Sequence, residues 1–220
     1  MSDLVTPRWQ LELGIEFLQE QSIPAISEAL IEPLVVFLEL LVKWNRVYNL
    51  TAVRDPVEMV DRHLVESLIM NRWLPSVTQA CDGVFDVMDI GSGAGLPVIP
   101  LAITRPDLSF VSIESNGKKC RFQQQATMEL KLPNVHIIND RVENVSISAH
   151  MVLSRAFTAP EDFLRIAQPL CAKNGQVAIM LGHAKRFPAQ LPDHYSLEEF
   201  VELSVPGTES ARHVALCRRE

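Results

Sequence analysis

Three glycines in five residues, Gly91, Gly93 and Gly95, lie in the stretch Asp89-Ile-Gly-Ser-Gly-Ala-Gly-Leu-Pro97, directly after an apolar run. Glycine has no Cβ and tolerates positive φ, so a loop of this kind lets the backbone come close to a ligand. Glu114 follows at the end of the next apolar run, where a carboxylate accepts hydrogen bonds from the hydroxyls of an adenosine ribose. The two nucleosides to weigh are those of NAD and S-adenosylmethionine. Dinucleotide loops read G-x-G-x-x-G and hold a pyrophosphate at a free helix N-terminus. Here the spacing is Gly91-x-Gly93-x-Gly95, and Asp89 stands two residues ahead of it. A carboxylate there repels a diphosphate but suits a ligand carrying an ammonium and a sulfonium, so the residues point to S-adenosylmethionine. An NAD-linked oxidoreductase is the rival reading, and it lacks a recognisable hydride-site set of His, Lys or Tyr-x-x-x-Lys. Cys81, Cys120, Cys171 and Cys217 are far apart and show no paired-ligand spacing; reduced thiols and no metal site are expected.

The elements that must hold these residues can be read from periodicity. Arg8 to Gln21 is a short amphipathic helix. In Pro33–Tyr48, the residues Leu34, Phe37, Leu38, Leu41 and Val42 mark one helix face, with Pro33 at the first helical position. Asp55-Pro56-Val57-Glu58 reads as an N-cap, a proline and an acid, opening a helix to about Trp73. Strands are expected at Val84–Ile90, Ser109–Ile113, Val135–Ile138, Met151–Ser154 and Gln176–Leu181. Helices lie between them, up to Thr104, at Gly117–Leu130 and at Glu161–Cys171. That alternation predicts a parallel, doubly wound α/β sheet. Leu197–Val205 and His213–Arg218, joined by Pro206-Gly207-Thr208, should finish it as an antiparallel hairpin. The division expected is a helical segment over 1–75 packed on a Rossmann-like unit over 76–220.

Net charge is −7, but its distribution is uneven. Residues 1–40 hold seven acids against Arg8, and 187–210 hold five acids and no base. Residues 41–186 carry sixteen Lys and Arg against fourteen acids, leaving the middle free to present a basic face to RNA. No apolar run approaches the ~20 residues of a membrane span. The first twenty residues lack a basic start followed by an apolar stretch, so a cytoplasmic monomer is expected.

Lys43–Thr51 (KWNRVYNLT), Arg62–Ser67 (RHLVES), the DIGSGAGLP loop, Gly117-Lys118-Lys119, Arg141-Val142-Glu143 and Ser154-Arg155-Ala156-Phe157 occur in the order of the RsmG (GidB) family, which the chain resembles over roughly residues 30–182 and again at Arg212-His213. The resemblance implies a class I S-adenosylmethionine-dependent methyltransferase fold, with a mostly parallel seven-stranded sheet. It also implies methyl transfer to guanine N7 in a decoding-region loop of 16S ribosomal RNA of the small ribosomal subunit. Cofactor contacts are implied from Gly91, Leu96, Val142, Glu143 and Arg155. Three positions depart from the family pattern: Glu66 stands for Asp, Val98 for Gly, and Leu181 for a Lys whose part would fall to His183 or Lys185. A non-catalytic RNA-binding or assembly protein retaining the cofactor fold is the second alternative.

Guanine N7 carries a lone pair and no proton, so the reaction needs no general base and none is evident. Arg155 is the residue expected at the chemistry, holding either the cofactor carboxylate or guanine O6, since an Arg on N7 would occupy the reacting lone pair. Asp89, Asp140 and Glu143 are the carboxylates able to stabilise a cationic product. Phe157 could stack on the base. The backbone of the RNA would be met by Arg46, Arg54, Arg62, Lys118, Lys119 and Arg121, with Lys43, Arg72 and Arg141 as further cations and His63 at the pocket rim. Trp44 and Tyr48, four apart on one helix, are expected to pack the helical layer on the sheet.

Overall fold

The computed structural model describes residues 8–21, 23–24, 26–81, 83–155, 158–182, 187–188, 190–207 and 211–220. Phe157, His183 and Lys185 therefore lie outside the described residues. Seven strands, β1 (Val84–Ile90), β2 (Phe110–Ile113), β3 (Val135–Ile138), β4 (Ser148–Arg155), β5 (Cys171–Leu181), β6 (Tyr195–Leu203) and β7 (Arg212–Arg219), form one sheet in the order β3-β2-β1-β4-β5-β7-β6. The first five are mutually parallel, and β7 runs antiparallel between β5 and β6. The order reverses between β1 and β4, where open α/β sheets present their ligand crevice.

Alternating side chains feed two cores. Val87, Met151, Leu153, Ala178, Met180, Val214 and Leu216 face a layer made of the N-terminal helices together with α5 (Val98–Thr104) and α6 (Gly117–Glu129). Met88, Ile90, Val152, Val177, Ile179 and Ala215 face α7 (Pro160–Ala167). The leading helices α1 (Arg8–Glu20) and α2 (Ile31–Tyr48) belong to the first of these cores. Phe37 and Trp44 of α2 meet the buried Phe122 of α6 at 6.0 and 5.7 Å between ring centroids.

Three local expectations are corrected. Helix α7 ends at Ala167, and Cys171 already begins β5, which pairs with Ala149 before a bulge. Asn174 takes a φ of +60° there, and a Cβ on Gly175 would lie 2.7 Å from the His150 carbonyl, so the excursion presses against β4. The long helix expected after Asp55 starts as read, with the Asp55 carboxylate accepting from Val57 N–H at 2.8 Å. It is not uniform, however. Helix α3 (Pro56–Met59) gives way to a π turn over Val60–Val65, then α4 (Glu66–Leu68) and a 3-10 turn, Ile69–Arg72. Pro33 falls two residues inside α2 instead of opening it.

Candidate active site

Gly91, Gly93 and Gly95 all take positive φ, at 71, 60 and 75°. They carry the chain from β1 toward α5, and the turn is held from two sides. Gly93 N–H donates to Glu114 Oε2 at 2.8 Å, while Glu114 Oε1 accepts from Asn116 N–H at 2.8 Å. Gln123, fully buried on α6, donates to Gly93 O at 2.8 Å and Ser92 Oγ at 2.9 Å, and accepts from Ser112 Oγ at 2.6 Å. The glycines divide their duties. A Cβ on Gly95 would meet Ile99 at 2.4 Å, whereas one on Gly93 would meet only Lys119 Nζ at 3.8 Å. Beside this loop lies a cavity of about 460 Å³ lined by Ile90, Gly91, Ile113, Glu114, Ser115, Lys119, Asp140, Arg141, Val142 and Glu143.

A second cavity, of about 360 Å³, lies at the carboxyl ends of β4 and β5 and is lined by Thr51, Ala52, Val53, Arg62, His63, Glu66, Arg155, Met180, Leu181, Gly182 and Arg212. The π turn shapes it. In an α-helix the Arg62 carbonyl would accept from Glu66 N–H four residues on. Here Glu66 N–H donates to Asp61 O instead, one residue further back. The Arg62 carbonyl is thereby released, and it accepts from Arg155 Nη1 at 2.9 Å and from His63 Nδ1 at 3.0 Å. Single π turns recur at functional sites for this reason: they expose a backbone acceptor at fixed geometry. His63 Nδ1 must carry the proton in that bond, which makes Nε2 the acceptor for Thr51 Oγ1 at 2.8 Å. Burial, reinforced by the neighbouring Arg155 charge, lowers the His63 pKa to about 4, so the ring is neutral at physiological pH.

The KWNRVYNLT segment explains itself in this setting. Asn45, buried in α2, donates to Val53 O at 2.9 Å and accepts from Thr51 N–H at 2.9 Å. It thus folds the chain after α2 back as the cavity wall and presents Thr51 to His63.

Asp89 joins the two cavities electrostatically. It is fully buried, and burial pushes its pKa well above the usual carboxylate range; Val98 N–H and the charge of Arg155 pull it down, and Glu114 pushes it up. Its Oδ2 accepts from Val98 N–H at 3.3 Å, whereas Oδ1 has no hydrogen-bond partner. A buried acceptor left open costs free energy unless a ligand satisfies it. Arg155 is half-buried; burial disfavours its charge, and Glu66 and Asp89 offset that. Glu66 also lies 3.4 Å from Arg212 Nε.

Of the residues singled out from the sequence, Gly91, Glu114, Val142 and Glu143 line the first cavity, together with Lys119, Asp140 and Arg141, which the sequence had assigned to other work. Leu96 and Gly95 are buried. Arg155, Arg62 and His63 lie in the second cavity instead of the first. Arg46, Arg54, Lys118 and Arg121 are exposed, and Arg62 is paired with Glu58 at 2.6 Å. Arg72 is tied to Glu199 of β6 at 2.8 Å and lies over Trp73. Trp44 is half-buried against Phe122, but Tyr48 is exposed, so the pair is not a core pair. Spacing alone missed Gln123, Ser92 and Ser112, a buried polar trio that joins α6, the glycine loop and β2. Among the described residues no group of three or more His, Cys, Asp or Glu could hold a metal ion, and no helix is long and apolar enough to cross a membrane.

Residues 30–215 match the family model GidB, described as rRNA small subunit methyltransferase G. A ribosomal RNA small subunit methyltransferase G from Nitrosomonas eutropha is 38% identical over 215 residues, covering 95% of this chain and 96% of the relative. One from an Azoarcus strain is 42% identical over 200 residues, 90% of each. Among solved structures, TrmN from Thermus thermophilus superposes with a TM-score of 0.56 over 73% of this chain at 15% identity, which speaks for the fold alone; the match spans 53% of that longer protein. The chain belongs to the rRNA small subunit methyltransferase G family, and S-adenosylmethionine is its methyl donor.

Proposed function

We propose that this chain methylates N7 of a guanine in a decoding-region loop of 16S ribosomal RNA. The observation that carries the reading is the partnerless Oδ1 of the buried Asp89, whose carboxyl feels the charge of Glu114 in the wall of the first cavity and of Arg155 in the wall of the second. S-adenosylmethionine held there supplies a methyl carbon made electrophilic by its sulfonium. Glu114 keeps lone pairs for ribose hydroxyls, because each of its oxygens accepts only one backbone N–H. Val142 and Glu143 wall the adenosine side, and the uncrowded Gly93 lets the backbone come close. Asp89 offers its free oxygen to the ligand's cationic end, where restored charge offsets the burial that neutralises it.

The second cavity suits the acceptor base. Guanine N7 has no proton to lose, so no residue there must act as a base. The neutral His63 and the fully committed Arg62 carbonyl accordingly work as framework, not as proton carriers. Arg155 is held with one guanidinium nitrogen on that carbonyl and its other donors available to the donor carboxylate or to guanine O6. Rate then derives from alignment, since well-placed reactants gain several kcal/mol of the barrier as pre-ordered geometry. Because A-form RNA hides N7 in its deep major groove, the target guanine must be unpaired or drawn out. The reading places the chain in the cytoplasm as a monomer acting on the small ribosomal subunit.

The test is methyl transfer from labelled donor to small subunits taken from cells lacking the activity, followed by nucleoside mapping. One labelled 7-methylguanosine is the expected product. Label on another atom or base, or none, refutes the assignment. Arg155→Ala then separates the two roles: lost affinity for S-adenosylhomocysteine puts Arg155 on the donor, and retained affinity with lost turnover puts it on the base.

A further inference from the structure

Four aromatic rings run from the core to the surface. Phe37 packs on Phe122 at 6.0 Å between centroids, Phe122 on Trp44 at 5.7 Å, and Trp44 on Tyr48 at 5.2 Å with a 36° tilt. Phe37 and Phe122 are fully buried, but Tyr48 leaves 43% of its surface in solvent. Trp44 supports the ring while much of it stays in solvent, so a partner stacking there loses little ordering entropy. The surroundings are cationic. Arg46 and Arg54 are exposed on either side in sequence, and Arg54 donates to Asn49 Oδ1 at 2.5 Å. Asn49 ends α2 in the left-handed conformation, at φ 52°, and turns the chain straight into Thr51–Val53, the wall of the acceptor cavity. Tyr48 and Thr51 are three positions apart, a reach of at most about 11 Å. Of the acids that follow in the chain, Asp55 caps α3 and Glu58 pairs with Arg62.

We propose that Tyr48 is a stacking platform for an unpaired rRNA base beside the target guanine, with Arg46 and Arg54 receiving the adjoining phosphates. The inference rests on the reading of rRNA as substrate. It fits RNA because a rigid aromatic face flanked by arginines matches an unstacked base and its backbone, and such recognition is tolerant of which base it meets. The base left beside a drawn-out guanine has lost its stacking neighbour, and Tyr48 replaces it.

Tyr48→Ala, Tyr48→Leu and Tyr48→Phe in the full chain provide the test, with small subunits as substrate. Stacking on one ring is worth about 1–3 kcal/mol, so Tyr48→Ala and Tyr48→Leu should raise KM for the subunit roughly tenfold. Turnover at saturation, affinity for S-adenosylhomocysteine and melting temperature should stay as in wild type. Tyr48→Phe, which keeps the ring and loses the hydroxyl, should restore wild-type KM. An unchanged KM in Tyr48→Ala overturns the proposal, and so does rescue by Leu equal to that by Phe, which would mean simple apolar packing. Should wild type leave rRNA unlabelled, the parent reading fails by itself, and binding of the same rRNA by wild type and Tyr48→Ala then scores the platform separately.

Discussion

Gly93 and Gly95 stand two residues apart in one loop, and the structure predicts opposite consequences for replacing each by alanine. Gly95 has a φ of +75°, and its added Cβ would lie 2.4 Å from Ile99 Cδ1, 2.8 Å from Ile99 Cγ1 and 3.3 Å from Gln123 Cγ. Ile99 is fully buried and has nowhere to swing. Left-handed backbone in an L-residue costs about 1–2 kcal/mol and overpacking a further ~1–3, for a total of roughly 2–5 kcal/mol. In a chain of this size that lowers the melting temperature by roughly 5–15 °C. Gly93, at φ 60°, bears only the first cost, because the nearest atom to its added Cβ is Lys119 Nζ at 3.8 Å. Gly93→Ala should therefore melt within roughly 2–6 °C of wild type. Its methyl group, however, enters the open space beside Lys119, a residue of the cofactor cavity. Intrusion at a close backbone approach should weaken S-adenosylhomocysteine binding about tenfold or more. Differential scanning calorimetry and isothermal titration on both variants measure the two effects. If Gly95→Ala melts with wild type, or Gly93→Ala binds the ligand with full affinity, the division of labour is wrong.

Three further outcomes are expected. His63 is neutral when folded, with its pKa lowered to about 4 from an ordinary 6.5. The unfolded chain therefore takes up a proton that the folded one refuses, and stability falls as pH drops from 6.5 toward 4, by about 3 kcal/mol in all. Burial raises Asp61 and Asp89, which act in the opposite sense, so the His63 share is read as the difference in pH slope between wild type and His63→Gln in urea unfolding. Gln123→Leu strips Gly93 O and two buried serines of a partner, costing about 1–3 kcal/mol. The same titration should show weaker ligand binding, because the glycine loop loses its tether to α6. Arg155→Lys keeps the charge but not the fork of donors needed to hold the Arg62 carbonyl and a ligand together; single-turnover methylation should fall roughly a hundred- to a thousandfold, and near-normal turnover would refute the role.

Much of the scaffold was legible in the chain because it is written in local patterns. Short apolar runs marked the central strands, since a strand buried on both faces needs uninterrupted apolar residues, and the Pro206-Gly207 turn between two extended runs marked the closing hairpin. The Asp55-Pro56 cap appeared where read, because capping involves only neighbours. The exceptions were also local but subtler. Strand β5 begins at Cys171 because pairing with β4 outweighs the helical rhythm of α7, and no window of sequence contains that partner.

The site divided in the same way. Sequence by itself marked the glycine loop and the acid after β2, because each lies at the end of a strand whose register periodicity already sets; the Val142-Glu143 pair came from the family resemblance. Tertiary structure decided what those groups experience. Arg155 reaches a carbonyl 93 positions away in the chain, and that carbonyl is available only because one extra residue in the π turn shifts a hydrogen bond from Arg62 to Asp61. Nothing in the spacing of RHLVES announces the shift, since α and π turns bury nearly the same face. The partnerless Asp89 oxygen, the neutral His63 and the exposed Tyr48 likewise depend on how separate elements close over one another. Burial and charge balance are sums over neighbours in space, and those neighbours exist only once the chain has folded.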